Sequence, residues 1–470
     1  MIVYNTLTKS FEKLRLNKTV RIYVCGITAY DFCHVGHARS VVFFDVVRRY
    51  LEYKGHEVVY VQNFTDVDDK IVRRAVKEKK SQREIADKFI EEYFKDMDAL
   101  NVKRANYYPK VTDHITDIIN AVKILIYKGY AYEVGEENKD VYFHIPKFKE
   151  YGKLSGIDPE ELKYHRIEPD PRKKDARDFA LWKAAKDDDI KAKAYFTSPW
   201  GIGRPGWHIE CTVMATKYLG VPFDIHGGGK DLIFPHHENE RAQTYALFDT
   251  EPVRYWMHND FITINGEKMS KSLGNIIRIK DVLKKYNGEI IRYFLLSAHY
   301  RSPLNYSEKA LDLAKKSYLS LKNSLELIDM EIAALRTFSN RQASGLLLSR
   351  SYVDEFERAM DNDFNTPQAL AVLHEFSREI NRIVNSGIGS WEELESIRNN
   401  FLRLCRVLGF FEKYKRVPVL KSEDARLILE REDARKERNF EKADLIREKF
   451  KEKGLILIDT PRGTRWMFKF

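Results

Sequence analysis

Residues 20–64 hold the pattern that narrows the fold most: strand, helix and strand in a span that suits only a βαβ unit. Val20-Arg21-Ile22-Tyr23-Val24 is an apolar run of strand length, and Cys25-Gly26 ends it. After His37 a helical stretch runs through Val46 to Tyr53 and stops at Lys54-Gly55, a C-cap pair. His56 to Gln62 is a second β-rich run. Strands joined this way pair in parallel, and such a sheet takes its ligands at the carboxyl ends of its strands. The expected fold is α/β, with a Rossmann-type parallel sheet.

The first strand-to-helix junction carries His34-Val35-Gly36-His37, where a dinucleotide fold would carry several glycines. A helix N-terminus offers free N–H groups and positive dipole to a phosphate. Two imidazoles beside it can donate to phosphate oxygens, and Gly36 leaves room for a nucleotide. Far downstream lies Lys268-Met269-Ser270-Lys271-Ser272, flanked by Gly266 and Gly274 as a mobile loop would be. Its lysines can approach phosphates as point charges, and its serines add donors. The first run alone is a weak signal; the second is much rarer. In this order they point to attack on the α-phosphate of ATP, with loop closure stabilising the departing pyrophosphate. His34, His37, Lys268 and Lys271 are the candidate catalytic residues. Gly36 and Ser270 join them as candidate ATP contacts, and ATP is expected with Mg²⁺.

A scattered donor set comes next. His236 and Glu240 are four apart and would share a helical face. Cys211 precedes them on a segment after Trp207-His208, and Cys25 ends the first strand at the ligand-binding edge. Two thiolates, an imidazole and a carboxylate make a plausible zinc shell. Spacing leaves Cys33, His208, His237 and Glu238 open as rival ligands.

The chain has 470 residues, too many for one core, and four cysteines, too few and too spread for a disulfide scaffold. Net charge is +10, which suits a polyanionic partner or an ordinary charged surface. No apolar run approaches the ~20 residues needed to span a bilayer, and Met1 to Leu14 does not read as a targeting signal. A cytoplasmic location without membrane contact is expected. The boundaries expected are 1–115 for the first half of the catalytic domain and 116–205 for a connective insertion, irregular over 131–200 apart from a strand-like run from Asp140 to Ile145. Residues 206–304 would be the second half with the KMSKS region, 305–418 a helical bundle, and 419–470 a small C-terminal α/β domain.

Several stretches together resemble the cysteinyl-tRNA synthetases, class I aminoacyl-tRNA synthetases, from end to end. They are Tyr23 to Asp31, HVGH, Asn63 to Lys70, Gly206 to Cys211, His226 to Asp231, Phe234 to Glu240, KMSKS, His299 to Tyr306, Asp363 to Pro367 and Asp459 to Trp466. The resemblance implies activation of L-cysteine with ATP and its transfer to the 3′-terminal adenosine of tRNA-Cys. It implies one zinc ion on Cys25, Cys211, His236 and Glu240, taking the substrate thiolate, and a cysteine pocket lined by Thr65, Trp207 and His226. It implies a helical anticodon-binding domain after Asn305 in a chain expected to be a monomer. Arg462, Arg465 and Trp466 suit base stacking and phosphate contact in tRNA; a packed aromatic tail and a core Trp207 stand as the plain alternatives.

Overall fold

The computed structural model describes residues 1–158, 170–264, 266–269, 274–338 and 351–468, with Lys268 by its backbone alone. Ser270, Lys271 and Ser272 therefore lie outside the described residues, as does the Lys268 side chain. The chain divides into two units: Met1–Glu308 with Asn362–Phe364, and Lys309–Asp361 with Asn365–Phe470.

The first unit is built on a four-stranded sheet. Its order is Val253–Asn259, Phe223–Gly229, Thr19–Thr28, Glu57–Thr65, and every neighbouring pair is parallel. Val20, Ile22, Tyr23 and Val24 are all buried, so the strand is covered on both faces. Its pairing with Glu57–Thr65 is irregular between Val24 and Ile27. Gly26 lies there, its N–H donating to Asn63 Oδ1 at 2.9 Å. A Cβ on Gly26 would stand 1.6 Å from the Asn63 carbonyl oxygen, so only glycine fits. An irregularity of this kind re-aims the side chain beside it, here Cys25.

The helix after the first strand spans Val35–Tyr53, three residues earlier than the sequence suggests, because His34 caps it. Downstream helices include Asp69–Glu78, Gln82–Ala99 and Ile115–Tyr127. The expectation of an irregular segment over 131–200 is corrected. It holds a five-stranded antiparallel sheet in the order Ala131–Val134, Asp140–Phe143, Phe179–Ala184, Gly201–Pro205, Phe196–Ser198. Asp178 anchors it: its carboxylate accepts from Tyr132 Oη at 2.7 Å and Ile145 N at 2.9 Å.

The second unit is mainly helical: Glu308–Thr337, Tyr352–Asp361, Thr366–Ser386, Trp391–Val407, Ser422–Lys436 and Phe440–Glu452. An antiparallel hairpin, Leu455–Thr460 and Gly463–Phe468, follows. Two of these helices, Tyr352–Asp361 and Thr366–Ser386, are separated by a short break. Between them Asp363 and Phe364 take φ of 58° and 49°. The Asp363 carboxylate accepts from Tyr4 N at 2.9 Å, Tyr300 Oη at 2.7 Å and Arg301 Nε at 2.7 Å. Asn365 restarts the helix, its side chain accepting from Gln368 N at 3.1 Å. Among the described residues no helix is long and apolar enough to cross a membrane.

Residues 419–468 share a core with an earlier helix of this unit. Ile428, Ile446, Phe450, Leu455, Leu457 and Trp466 pack with Met330, Ala333, Ala334 and Phe338 of the first long helix of this unit. The stacking role expected of Trp466 is corrected by the same packing. The indole is fully buried, and its N–H donates to the Pro418 carbonyl at 2.8 Å. It has no ring face to offer a base. Arg465 Nε and Arg462 Nη1 both bond Glu331, at 2.6 and 2.9 Å, which turns them into internal ties. Replacing Trp466 with Ala is expected to cost about 3–5 kcal/mol of second-unit stability. Urea unfolding followed by circular dichroism reads it; a change under 1 kcal/mol would refute the packing role.

Candidate metal centre and nucleotide site

The carboxyl edge of the parallel sheet carries Cys25, Thr65, His226 and His258 at or near four strand ends. Two helices complete the edge. Trp207–Leu219 brings Cys211, and an irregular turn over Ile233–His237 leads into Glu238–Phe248, bringing His236 and Glu240.

Among the described residues two overlapping sets of four donors converge within 4.8 Å: Cys25, Cys211, His236, Glu240, and Cys25, His226, His237, Glu240. In the first set the two sulfurs are 3.9 Å apart, Cys25 Sγ is 3.6 Å from Glu240 Oε1, and His236 Nε2 is 3.0 Å from the same oxygen. Zinc bonds of ~2.3 Å to sulfur and ~2.0–2.2 Å to nitrogen or oxygen make tetrahedral ligands about 3.3–3.8 Å apart. The set is close to that spacing, and its thiol–imidazole–carboxylate chemistry fits the ion.

Electrostatics bind the cluster together. Burial works against every charge here, and the partners oppose it. The Glu240 carboxyl is held down near 2 by His226 and His236, despite burial. Burial raises the Cys211 thiol, but Cys25 and His236 outweigh it and pull it below its ordinary value. Burial lowers His236, but Glu240 and Cys211 carry it above its ordinary value. Cys25 is pushed up, by burial first and then by Cys211 and Glu240. The partners thus lower Cys211 and Glu240 and raise His236 against burial, and a cation bound here would take the place of the protons the set holds.

The rival ligands separate clearly. His208 Nδ1 lies 2.9 Å from His236 Nδ1, behind it. Glu238 turns away and accepts from Ser155 N at 2.8 Å. Cys33 is buried elsewhere, its carbonyl accepting from Ile279 N at 3.0 Å. His237 is a real neighbour that the sequence left open: Nε2 is 3.2 Å from Cys25 Sγ, and Nδ1 is 2.8 Å from His258 Nε2.

The expected pocket residues lie around this centre. Trp207 stacks on His236 with ring centroids 4.3 Å apart and keeps 38 % of its surface exposed, which a purely core tryptophan would not. Thr65 Oγ1 donates to the buried Glu210 carboxylate at 3.0 Å. His226 Nε2 meets Glu240 Oε2 at 2.9 Å, and its ring stacks on Trp256 at 4.6 Å. Tyr23, Glu210 and His258 join the site without having been singled out, and His237 joins it from among the rival ligands. The signal for Tyr23 was its place two residues before Cys25 on one strand face.

At the helix N-terminus His34 and His37 cap each other's backbone: His37 N donates to His34 Nδ1 at 3.2 Å, and His34 N to His37 Nδ1 at 3.3 Å. The rings stack at 3.6 Å. A Cβ on Gly36 would come within 3.0 Å of the His34 ring and 3.2 Å of Met269 Cε. Both ends of the KMSKS region thus rest against HVGH. Met269 lies over Gly36, and Ile277 O accepts from Val35 N at 3.0 Å.

Residues 11–316 match the family of class I tRNA synthetase (C) catalytic domains, and residues 355–412 match the DALR domain. The chain is 63 % identical over 469 residues to the cysteine–tRNA ligase of Archaeoglobus fulgidus, covering 99 % of each. It is 49 % identical over 474 residues to that of Thermococcus onnurineus, covering 99 % of this chain and 98 % of the relative. Among solved structures, the methionyl-tRNA synthetase of Mycobacterium tuberculosis in complex with methionyl-adenylate superposes with a TM-score of 0.60. It shares 15 % identity, over 83 % of this chain and 90 % of that one, a likeness of fold alone.

Proposed function

The chain belongs to the cysteine–tRNA ligase family of class I tRNA synthetases, and on that premise we propose how its residues divide the work. The reaction is cysteine activation by ATP with release of pyrophosphate, followed by transfer of cysteine to the 3′-terminal adenosine of tRNA-Cys. Cys25, Cys211, His236 and Glu240 hold zinc. The observation that carries this is their convergence within 4.8 Å at the carboxyl edge of the sheet. When bound there, zinc supplies a soft acceptor that favours a thiolate over a hydroxyl.

The second donor set shares Cys25 and Glu240 but replaces Cys211 and His236 with two histidines. The first set is preferred because it contains both thiols, and because His226 and His237 have outward partners of their own in Trp256 and His258. Those two histidines orient Glu240 and Cys25 from behind. Trp207 forms the exposed wall of the cysteine pocket, and Thr65 reaches it from the neighbouring strand. The stacked His34 and His37 present imidazole edges to the phosphates of Mg²⁺-ATP, and Lys268 and Lys271 neutralise pyrophosphate as it leaves.

The test of the whole reading is ATP–pyrophosphate exchange with each amino acid in turn, with zinc measured in the same samples. Cysteine alone should support exchange, at one zinc per chain; exchange driven by another amino acid would overturn it. Lys271→Ala is expected to lower cysteine-dependent exchange by roughly 10²–10³-fold, the scale for losing one stabiliser of developing phosphate charge. Zinc content and thermal unfolding should not change. An unaltered exchange rate would remove Lys271 from catalysis.

A further inference from the structure

The chain leaving the KMSKS region is tied to the turn before HVGH by more than backbone. Val35 N donates to Ile277 O and Ile279 N to Cys33 O, both at 3.0 Å, and His34 and Arg278 form an antiparallel bridge between those bonds. Arg278 and Lys280 lie on this limb, on either side of the buried Ile279. Asp31 and Phe32 lie on the facing turn, just before Cys33.

Both cations converge on one ring. The Lys280 ammonium is 3.1 Å from the centroid of Phe32, and the Arg278 guanidinium is 5.5 Å from it. Phe32 is half-buried, and its ring meets that of Phe89 edge to face at 5.3 Å, which ties it to Gln82–Ala99. Arg278 also reaches the Asp31 carboxylate at 3.7 Å, a carboxylate it shares with Arg74 at 3.3 Å. Burial and then Glu92 raise the Asp96 carboxyl to about 7, and Lys280 offsets only part of that rise. Among the described residues the close partner of Lys280 is therefore the face of Phe32. An aromatic face carries partial negative charge and attracts cations, which an aliphatic side chain of similar size does not.

Resting on the ATP-site reading above, we propose that Phe32 is a positioning residue for cysteine activation: its ring face holds Lys280 and Arg278 and so fixes the chain that leaves KMSKS against HVGH. Both runs must act on the same triphosphate, so an error in this limb costs the phosphate chemistry and spares cysteine binding. Phe32 acts through the limb and not on the substrate. Its chemistry also explains why a ring stands at this place in the turn, where apolar bulk alone would pack against Phe89.

Phe32→Leu keeps an apolar side chain against Phe89 but has no ring face to offer, and Phe32→Tyr restores the face. The measurement is cysteine-dependent ATP–pyrophosphate exchange by the full-length enzyme at varied ATP and varied cysteine. Phe32→Leu should lower the saturated rate by ~2–30-fold, the worth of such contacts. The KM for cysteine and the thermal unfolding midpoint should not change, and Phe32→Tyr should return the rate close to that of wild type. Lys280→Met keeps the stem and removes the charge. It should lose no more than Phe32→Leu, and the double variant should lose little beyond Phe32→Leu alone. A Phe32→Leu rate equal to wild type, a Phe32→Tyr rate as low as that of Phe32→Leu, or losses that simply add in the double variant would each overturn the proposal. A wild-type protein without cysteine-dependent exchange would overturn the ATP-site reading as well.

Discussion

Cys211→Ser is expected to lose zinc and to lower cysteine-dependent pyrophosphate exchange by on the order of 10⁴-fold, without gaining exchange with serine. The sulfur of Cys211 is 3.9 Å from that of Cys25, within reach of one ion, and the pair supplies the softness of the donor set. A hydroxyl at position 211 keeps the shape but is a poor ligand at neutral pH. The remaining three donors would leave His236 and Glu240 joined at 3.0 Å, closing on the space where the ion belongs. Discrimination is predicted to fall with affinity because both come from the same contact. Cysteine and serine differ by one atom, and shape alone separates such a pair by only ~10–200-fold. The measurement is metal content beside exchange rates for both amino acids. Full zinc occupancy in Cys211→Ser would hand the site to the other set, Cys25, His226, His237 and Glu240.

The parts of this molecule that were legible in its sequence are those written in local spacing. The Val20–Val24 run, the helix to Tyr53 and the His56–Gln62 run gave the parallel sheet, because period and length are properties of contiguous residues. His236 and Glu240 were legible for the same reason: a four-residue spacing puts both on one side even though the helix proper begins at Glu238. What was not legible depends on partners far along the chain. The strands of the insertion are three to six residues long and pair across gaps, Trp182 with Pro205 and Val141 with Trp182. Their short apolar runs have no periodicity of their own. The break at Asp363 needed Tyr4, Tyr300 and Arg301 to be seen. Trp466 among arginines has the same composition whether it stacks on a base or fills a core. Glu331 and Phe338, which decide the matter, lie more than a hundred residues upstream.

One further long-range feature, absent from the sequence reading, governs the stability of the first unit. Asp45 and Arg49 lie on the helix that follows HVGH, and Arg292 lies on Gly288–Leu296. Asp45 is 2 % exposed and Arg292 fully buried. Arg49 Nε bonds Asp45 Oδ2 at 2.8 Å, Arg292 Nη2 bonds the same oxygen, and Lys103 N donates to Oδ1 at 2.9 Å. Burial raises the Asp45 carboxyl, but Arg292 and Arg49 outweigh it and hold it below the usual carboxylate range. Asp45→Asn keeps the size and removes the negative charge that both buried guanidinium groups share. Breaking a buried pair from one side costs about 3–5 kcal/mol, far more than the intact pair contributes net. The variant should therefore unfold at markedly lower urea concentration at neutral pH. The sign of the pH dependence follows from the depressed carboxyl. Its contribution is fully present above the unfolded-state value and is lost as pH falls through the folded-state value, where wild-type Asp45 also becomes neutral. Wild type and Asp45→Asn should thus converge in stability only in strong acid. A deficit that is small at neutral pH, or that stays constant as pH is lowered through the carboxylate range, would show that the cluster acts through packing and not through charge.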